Sequence, residues 1–365
     1  MRLKKLSISR FRNIEETFIC PEPGINVFFG NNGEGKTNLL ESIYYLSILK
    51  SFRSSRTEDL VRWGDQSTIL HAEVERNGVS NDIRLMLDRE GRRLRVNGKP
   101  AASYAEYCGE INTVLFTPEE ISMGRGAPEA RRRYLNRAVL SGNVCYLSTY
   151  QAFAKTLKQR NALLKSGDST ELDTWTEKFA ESAALVVRER LKFLREIMPL
   201  LQDFYASISG GDRVDIQYMP SWSKGSESPD SAEALQEALC ARRREELSRG
   251  TTLAGPHRDE IGFLLNGKPV RQHASQGEQR SIIIALKMAE IAYLRDKWGE
   301  PPLLLLDDLT SELDPERNRN LFEYLRMMEM QVFITTTTRE TLGALKNVES
   351  GFFKVSGGRI VNEVC

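Results

Sequence analysis

Gly30-Asn31-Asn32-Gly33-Glu34-Gly35-Lys36-Thr37 fits G-x-x-x-x-G-K-[ST], the pattern of a phosphate-binding loop. The residues before it, Ile25-Asn26-Val27-Phe28-Phe29, read as a buried strand, and those over 38–46 read as a helix. Strand–loop–helix is the context that the motif requires. Glycines let successive backbone N–H groups turn inward around phosphate oxygens, and the helix N-terminus adds a favourable dipole. In that reading Lys36 reaches the β- and γ-phosphates of ATP, and the Thr37 hydroxyl ligates Mg²⁺. A glycine-rich turn with a chance lysine is the plain alternative, and a distant second motif weighs against it.

That second motif is Leu303-Leu304-Leu305-Leu306-Asp307-Asp308. Four apolar residues followed by acids predict a buried parallel strand with carboxylates at its C-terminal end, where open parallel sheets bind ligands. Asp307 is placed to hold Mg²⁺, directly or through water, and Asp308 to orient or deprotonate the attacking water. A third element, Ala274-Ser275-Gln276-Gly277-Glu278-Gln279-Arg280-Ser281, precedes the apolar run 282–286. Ser275 is a plausible N-cap with Glu278 at the capping-box spacing, so an ordinary capped helix is the plain reading of this stretch alone. The order of elements adds to it: phosphate loop, serine-glycine helix start, Asp-Asp strand, then Ser311-Glu312-Leu313-Asp314. That order is similar to the one in ABC-type ATPases, including the SMC branch. There the helix start of one protomer caps the γ-phosphate held by the other, which is anion binding at a helix N-terminus supplied in trans.

From end to end the chain resembles the bacterial RecF family of recombination and gap-repair ATPases. The resemblance is carried by Leu6-Ser7-Ile8-Ser9-Arg10-Phe11-Arg12-Asn13, by Gly30 to Asn38, and by Lys50-Ser51-Phe52-Arg53. Pro118-Glu119, Pro128-Glu129-Ala130-Arg131-Arg132-Arg133-Tyr134-Leu135, Gly255-Pro256-His257-Arg258-Asp259, Ser275 to Glu278 and Leu305 to Asp314 complete it. It implies an ABC/SMC-type P-loop ATPase head in the α/β class, with a mixed sheet, an antiparallel β-subdomain and a mainly α-helical second lobe. ATP and Mg²⁺ are the implied cofactors. Three departures stand out. Asp308 occupies the place where SMC and ABC relatives usually carry glutamate, and the shorter side chain suits slow hydrolysis. Thr335 to Thr338 replace the transporter-type histidine. No clear glutamine marks the lobe junction, where Glu119 or Glu120 lies instead.

Composition narrows the remaining classes. With 365 residues the chain can form two units with sizeable cores, and a net charge of +1 gives no global pull on DNA. No run approaches the roughly 18 apolar residues of a membrane span, and the start, Met1-Arg2-Leu3-Lys4-Lys5, does not read as a signal peptide. Cys20, Cys108, Cys145, Cys240 and Cys365 are scattered, which fits reduced thiols in a cytosol rather than structural zinc. His71, His257 and His273 are too few for a histidine metal centre. A cytoplasmic, nucleoid-associated protein with no membrane partner is expected.

A split first domain is predicted: 1–125, then a helical lobe over 126–250, then a return over 251–365, near Thr251. A strand is expected over 6–11, a meander over 68–76, 82–88 and 92–96, and further strands at 113–116 and around Ile334. The C-terminal residues should complete the sheet. Asn77-Gly78, Asn97-Gly98 and Asn266-Gly267 mark hairpins. Within the lobe, Ala180, Ala184, Val187, Leu191, Leu194, Met198, Leu201 and Tyr205 form one apolar helical stripe, which Pro199 should bend or end. Residues 221–231, rich in serine, glycine and proline, are expected to be a mobile loop.

Binding to the DNA backbone needs clustered cations. Lys50, Arg53 and Arg56 form one candidate group and Arg131, Arg132 and Arg133 another; Arg242, Arg243 and Arg244 are followed by two acids. For each, a solvated helix face is the default. By resemblance Arg53 is also a candidate for the nucleotide, as is Arg12 on the α-phosphate side. Nothing reads as a sequence-specific DNA module. The expected nucleotide contacts are thus Arg12, Gly30, Asn31, Asn32, Gly33, Glu34, Gly35, Lys36, Thr37, Asn38, Ser275, Gly277 and Glu278. The resemblance implies a weak, DNA-stimulated ATPase that homodimerises on ATP and binds single-stranded and gapped duplex DNA, with RecR, RecO and RecA as pathway partners. Two other classes compete. A transporter ATPase subunit would carry Leu-Ser-Gly-Gly-Gln and the later histidine, and an ATP-dependent nuclease would carry a further acidic metal domain after the ATPase.

Overall fold

The computed structural model describes residues 1–54, 56–101, 103–167, 170–222, 228–308, 329–337 and 350–362. It divides into two units, Met1–Glu120 with Leu294–Cys365, and Ile121–Tyr293.

The first unit is built on two sheets. In chain order its early elements are β1 (Arg2–Phe11), β2 (Ile14–Ile19), β3 (Ile25–Phe29), α1 (Lys36–Ile48), β4 (Ser67–Arg76), β5 (Val79–Asp88), β6 (Gly91–Val96), β7 (Lys99–Pro100), the short α2 (Tyr104–Tyr107) and β8 (Thr113–Phe116). One sheet is antiparallel, in the order β2-β1-β4-β5-β6-β7. β1 shows how register follows the hydrophobic pattern. Leu3 and Leu6 are three residues apart and would face opposite sides of a regular strand, yet both are buried. A register shift between Leu3 and Lys5 turns both inward. Asn77-Gly78 and Asn97-Gly98 close two of its hairpins with positive φ at both positions, the type I′ requirement.

After the second unit the chain adds β12 (Leu303–Asp307), β13 (Val332–Thr336), β14 (Ser350–Ser356) and β15 (Arg359–Asn362). These join the earlier strands in the order β15-β14-β3-β13-β12-β8. All pair in parallel except the edge strand β15. β8, β12 and β13 are buried throughout, as parallel strands covered on both faces must be. α1 shares one core with both sheets: Leu39, Leu40, Ile43 and Leu46 cluster with Ile8, Leu70 and Leu85 on one side and Phe28, Leu305 and Phe333 on the other.

The second unit holds α3 (Pro118–Ile121, from its last residue), α4 (Pro128–Gly142), α5 (Tyr146–Ser166), α6 (Leu172–Ser209), β9 (Val214–Met219), α7 (Ala232–Arg249), β10 (Glu260–Leu265), β11 (Lys268–Pro269), α8 (Val270–His273) and α9 (Gln276–Trp298, as far as Tyr293). Residues 251–293 fall with this unit, so the chain passes back to the first unit at Leu294; the sequence reading put the return near Thr251. Of the apolar stripe of α6, Ala180, Ala184, Val187, Leu194, Leu201 and Tyr205 are buried and Leu191 and Met198 half-buried; Pro199 does not end the helix, which is 38 residues long and runs on to Ser209. Pro199 is solvent-exposed, so the backbone carbonyl that loses its partner can turn to water. Within the stretch read as helical, β9 pairs with β10. Part of the expected loop over 221–231 is anchored: Ser221 bonds Asp259 through both its backbone N and its hydroxyl, and Ser231 caps α7. Among the described residues no helix is long and apolar enough to cross a membrane.

Two buried ionic networks tie this unit together. Arg160 donates to Thr176, Thr252 and Glu246, all buried. Arg190 donates to Asn136, Tyr218 and the Pro256 carbonyl, and Tyr218 donates to Asp259. His257 lies beside them, packed on the rings of Phe153 and Phe179, with Nε2 on the Thr252 carbonyl. Burial pushes its imidazole down to about 4, reinforced by Arg258, Arg132 and Arg190, although the Thr252 carbonyl pulls the other way. The folded value lies below the unfolded one, near 6.5, so neutral His257 stabilises the fold above about pH 6.5, and this is lost as the pH falls toward 4. Between pH 7 and pH 5 the wild-type protein should therefore lose about 2 kcal/mol more stability than His257→Gln. Urea unfolding of both at the two pH values measures this, and equal losses would show that His257 does not titrate between folded and unfolded states.

Candidate nucleotide site

The loop between β3 and α1 is shaped by close backbone approaches that only glycine permits. Gly30 has φ 151°, and a Cβ there would lie 2.3 Å from the Val355 carbonyl oxygen of β14. Gly35, with φ 109°, caps α1, and a Cβ on it would meet Asn13 Oδ1 at 2.8 Å. No acidic residue stands in the first turn of α1, so its N-terminal N–H groups and dipole remain available to an anion. Lys36 folds back over the loop, its Nζ donating to the carbonyls of Gly30 at 2.7 Å and Asn31 at 2.8 Å. Burial pushes the Lys36 ammonium below its ordinary value, while Asp308, Asp307 and Glu34 pull it back up.

The expected partners Thr37 and Asp307 meet. Thr37 Oγ1 donates to Asp307 Oδ1 at 2.9 Å. β13 lies between β3 and β12 and supplies a residue that takes up both acids: Thr335 Oγ1 donates to the same Asp307 oxygen at 2.8 Å and accepts from the Asp308 backbone N at 2.9 Å. Asp308 sits at φ 49°, a left-handed turn directly after the strand. Burial lifts the Asp307 acid above its ordinary value; the hydroxyls of Thr335 and Thr37 and the charge of Arg53 oppose this, and Asp308 adds to it. A hydroxyl and a buried carboxylate converging at the mouth of a phosphate loop are hard oxygen donors, the set that Mg²⁺ takes.

Other expected contacts have different roles here. Glu34 turns away from the loop mouth: its carboxylate accepts from the Gly357 backbone N, and its carbonyl from Gly358 N at 2.9 Å. Asn32 is exposed. Gly33 presents its carbonyl to Asn13 Nδ2 at 3.2 Å, and Asn38 Nδ2 donates to Asn13 Oδ1 at 2.7 Å. Arg12, at φ 56°, is clamped by Glu41 through Nε at 2.9 Å and Nη2 at 2.7 Å. Arg53 donates to Asn38 Oδ1 at 2.7 Å and is half exposed. Sequence reasoning gave Asn13, Glu41 and the 357–358 turn no place in the site. Asn13 lay inside a quoted motif, but neither Glu41 nor the turn carries a signal before the chain is folded.

In the second unit Ser275 and Glu278 cap α9 reciprocally: Ser275 N donates to Glu278 Oε2 at 2.6 Å, and Glu278 N to Ser275 Oγ at 3.2 Å. Ser275 is exposed and Glu278 half-buried; Arg133 is also exposed, with Glu129 at 3.9 Å. Arg131 differs. It is buried, bonding Glu260 and the carbonyls of Met123 and Gly126, and Arg132 donates to the Asp259 carbonyl. As folded, Arg131 has no surface to offer DNA, because its donors are committed to protein. Lys50 and Arg56 are exposed. Residues 309–328 and Thr338, with the Ser311 to Asp314 motif, lie outside the described residues.

This fold and site define a class, the ATPase heads of RecF, RecN and SMC proteins. The RecF/RecN/SMC N-terminal domain family matches residues 2–360. A solved Smc head bound to the C-winged helix domain of ScpA shares the fold, with a TM-score of 0.56 at 15% identity over 99% of this chain and 98% of that one. Within the class the likeness is closer to one branch. The DNA replication and repair protein RecF of Geotalea daltonii is 46% identical over 99% of this chain and 100% of its own length, and that of Geotalea uraniireducens is 47% identical over the same shares. A structure of the recombination mediator protein RecF-ATPrS in the RecFOR pathway has a TM-score of 0.90 and 30% identity over 100% of this chain and 98% of that one. The chain belongs to the RecF family.

Asp307 tests how the site trades stability for chemistry. Because its folded acid value is raised, the ionised form works against folding at neutral pH and that penalty fades as the pH falls. Asp307→Asn should stabilise the nucleotide-free protein at pH 7, with the gain shrinking as the pH falls into the carboxylate range. Urea unfolding from pH 7 down to about pH 4 measures it, and a variant no more stable than wild type at pH 7 contradicts it.

Proposed function

We propose that this protein is an ATP-gated DNA clamp of recombinational gap repair. The observation that carries the reading is the meeting of Thr37 and Asp307 at the mouth of a glycine loop whose helix begins without an acid. The loop from Gly30 to Thr37 binds the phosphates of ATP, with Lys36 leaving its carbonyl partners for the β- and γ-phosphates. Thr37 and Asp307 would hold Mg²⁺, which when bound would neutralise charge on the phosphate oxygens. Asp308 orients the attacking water and accepts its proton as the water oxygen bonds the γ-phosphorus and the bond to ADP breaks. Two copies close on ATP, with Ser275 and Gly277 of each capping the γ-phosphate held by the other. Hydrolysis, slow and stimulated by DNA, reopens them. DNA is read through its backbone at single-strand/double-strand junctions, with Lys50, Arg56 and Arg133 as candidate contacts and a strong salt dependence. Family membership and the RecFOR pathway named for the relatives support a role beside RecR and RecO; in this reading the protein acts in the cytoplasm and assists RecA loading.

Lys36→Met should abolish ATP binding, because nothing else on the loop carries its charge. Ser275→Arg should bind Mg-ATP as wild type does yet stay monomeric with it. Light scattering at saturating nucleotide reads the difference, and an ATP-dependent dimer of Ser275→Arg refutes capping in trans.

A further inference from the structure

Glu41 lies in α1, within two turns of the phosphate loop, and is fully buried. A carboxylate so placed must be supplied with donors. It has three sources. Arg12 grips it with two nitrogens, at 2.9 and 2.7 Å. Ser51 donates its hydroxyl, and Arg53 stands off with Nη1 at 3.8 Å. One negative charge therefore faces two guanidinium groups, and the two are held unequally. Arg12 is largely covered, whereas Arg53 is about half exposed.

The same carboxylate organises the backbone that carries Arg53. Ser51 Oγ, tied to Glu41, accepts from the backbone N–H groups of Arg53 and Ser54, both at 2.9 Å. From Arg53 a relay of amides leads to the loop: Arg53 to Asn38 at 2.7 Å, Asn38 to Asn13 at 2.7 Å, Asn13 to the Gly33 carbonyl at 3.2 Å. On the other side, Arg12 is pinned in its left-handed turn by its N–H on the Leu60 carbonyl and by Nη1 on the Asp59 carbonyl. The charge of Arg53 is also felt at Asp307.

We infer that Glu41 is a positioning carboxylate that keeps Arg12 clamped and lends Arg53 to the phosphates of a bound nucleotide. The inference rests on the reading of Gly30 to Thr37 as a nucleotide loop. The unneutralised guanidinium is the one with solvent access and with the long, 3.8 Å separation, so it is the one free to move to an anion. A carboxylate that served only to cancel charge would do the opposite, and its removal would strengthen phosphate binding.

Glu41→Gln keeps the shape and removes the charge. It should weaken Mg-ATP binding about tenfold by calorimetry, with the melting temperature recorded alongside. The same change made in an Arg12→Ala/Arg53→Ala background should then have no further effect, since both groups it positions are gone. Binding as tight as wild type or tighter, or a full tenfold loss persisting without the arginines, overturns the inference. Should Glu41→Gln not fold, Ser51→Ala releases the Arg53 loop with the charge intact; it must show a smaller loss in the same direction, and none refutes the inference. Wild type and Lys36→Met serve as controls. If wild type does not bind Mg-ATP, it is the nucleotide reading that fails; if wild type binds and Lys36→Met does not, the outcome bears on Glu41 alone.

Discussion

Thr37 and Asp307 are 270 residues apart in the chain and 2.9 Å apart in space. Everything at the site depends on the sheet order that makes this contact. β3 delivers the phosphate loop and β12 delivers Asp307, and because the strands run parallel their C-terminal ends open on the same side. The intervening β13 contributes Thr335, whose hydroxyl bonds Asp307 and the Asp308 backbone at once. Two hydroxyls on one oxygen make a buried carboxylate tolerable, while burial still holds its acid above the ordinary value. The strand pairing thus sets the chemistry as well as the shape.

A second constraint comes from the C-terminal hairpin. β14 runs so close to Gly30 that no side chain fits, and a Cβ on Gly358 in the β14–β15 turn would lie 2.3 Å from the Asn13 carbonyl oxygen. Glu34 reaches across to the same turn. The loop is therefore held in its phosphate-ready form from outside by backbone contacts and by Asn13, not by glycine flexibility alone. Such support reduces the ordering that a ligand must impose.

Local patterns explain which parts of this arrangement could be read beforehand. The phosphate loop, the Leu303 to Asp308 strand, the Ser275–Glu278 cap and the Asn-Gly hairpins are short-range signals, and each sits where its residues predict. Glu41 reads as one more polar residue on a helix, and only the return of Arg12 and Ser51 to its side makes it a hub. That Pro199 does not end α6 is not legible beforehand, because periodicity does not say which face of the helix meets water. β9 was absorbed into a helical reading because its partner β10 lies beyond α7.

Runs of arginine show the same limit more sharply. Arg131 and Arg133 are two residues apart on α4 and so point to opposite sides, one into protein and one into solvent. The buried one joins Arg160 and Arg190 as a guanidinium whose donors are spent on protein oxygens from separate stretches of chain. Apolar side chains of the same volume could stabilise the unit as well or better. What they could not do is choose among registers, because hydrophobic burial has no direction. Arg190 fits only when Asn136 of α4, Tyr218 of β9 and the Pro256 carbonyl all present oxygens to one planar fork. The helical unit is thereby pinned to one packing.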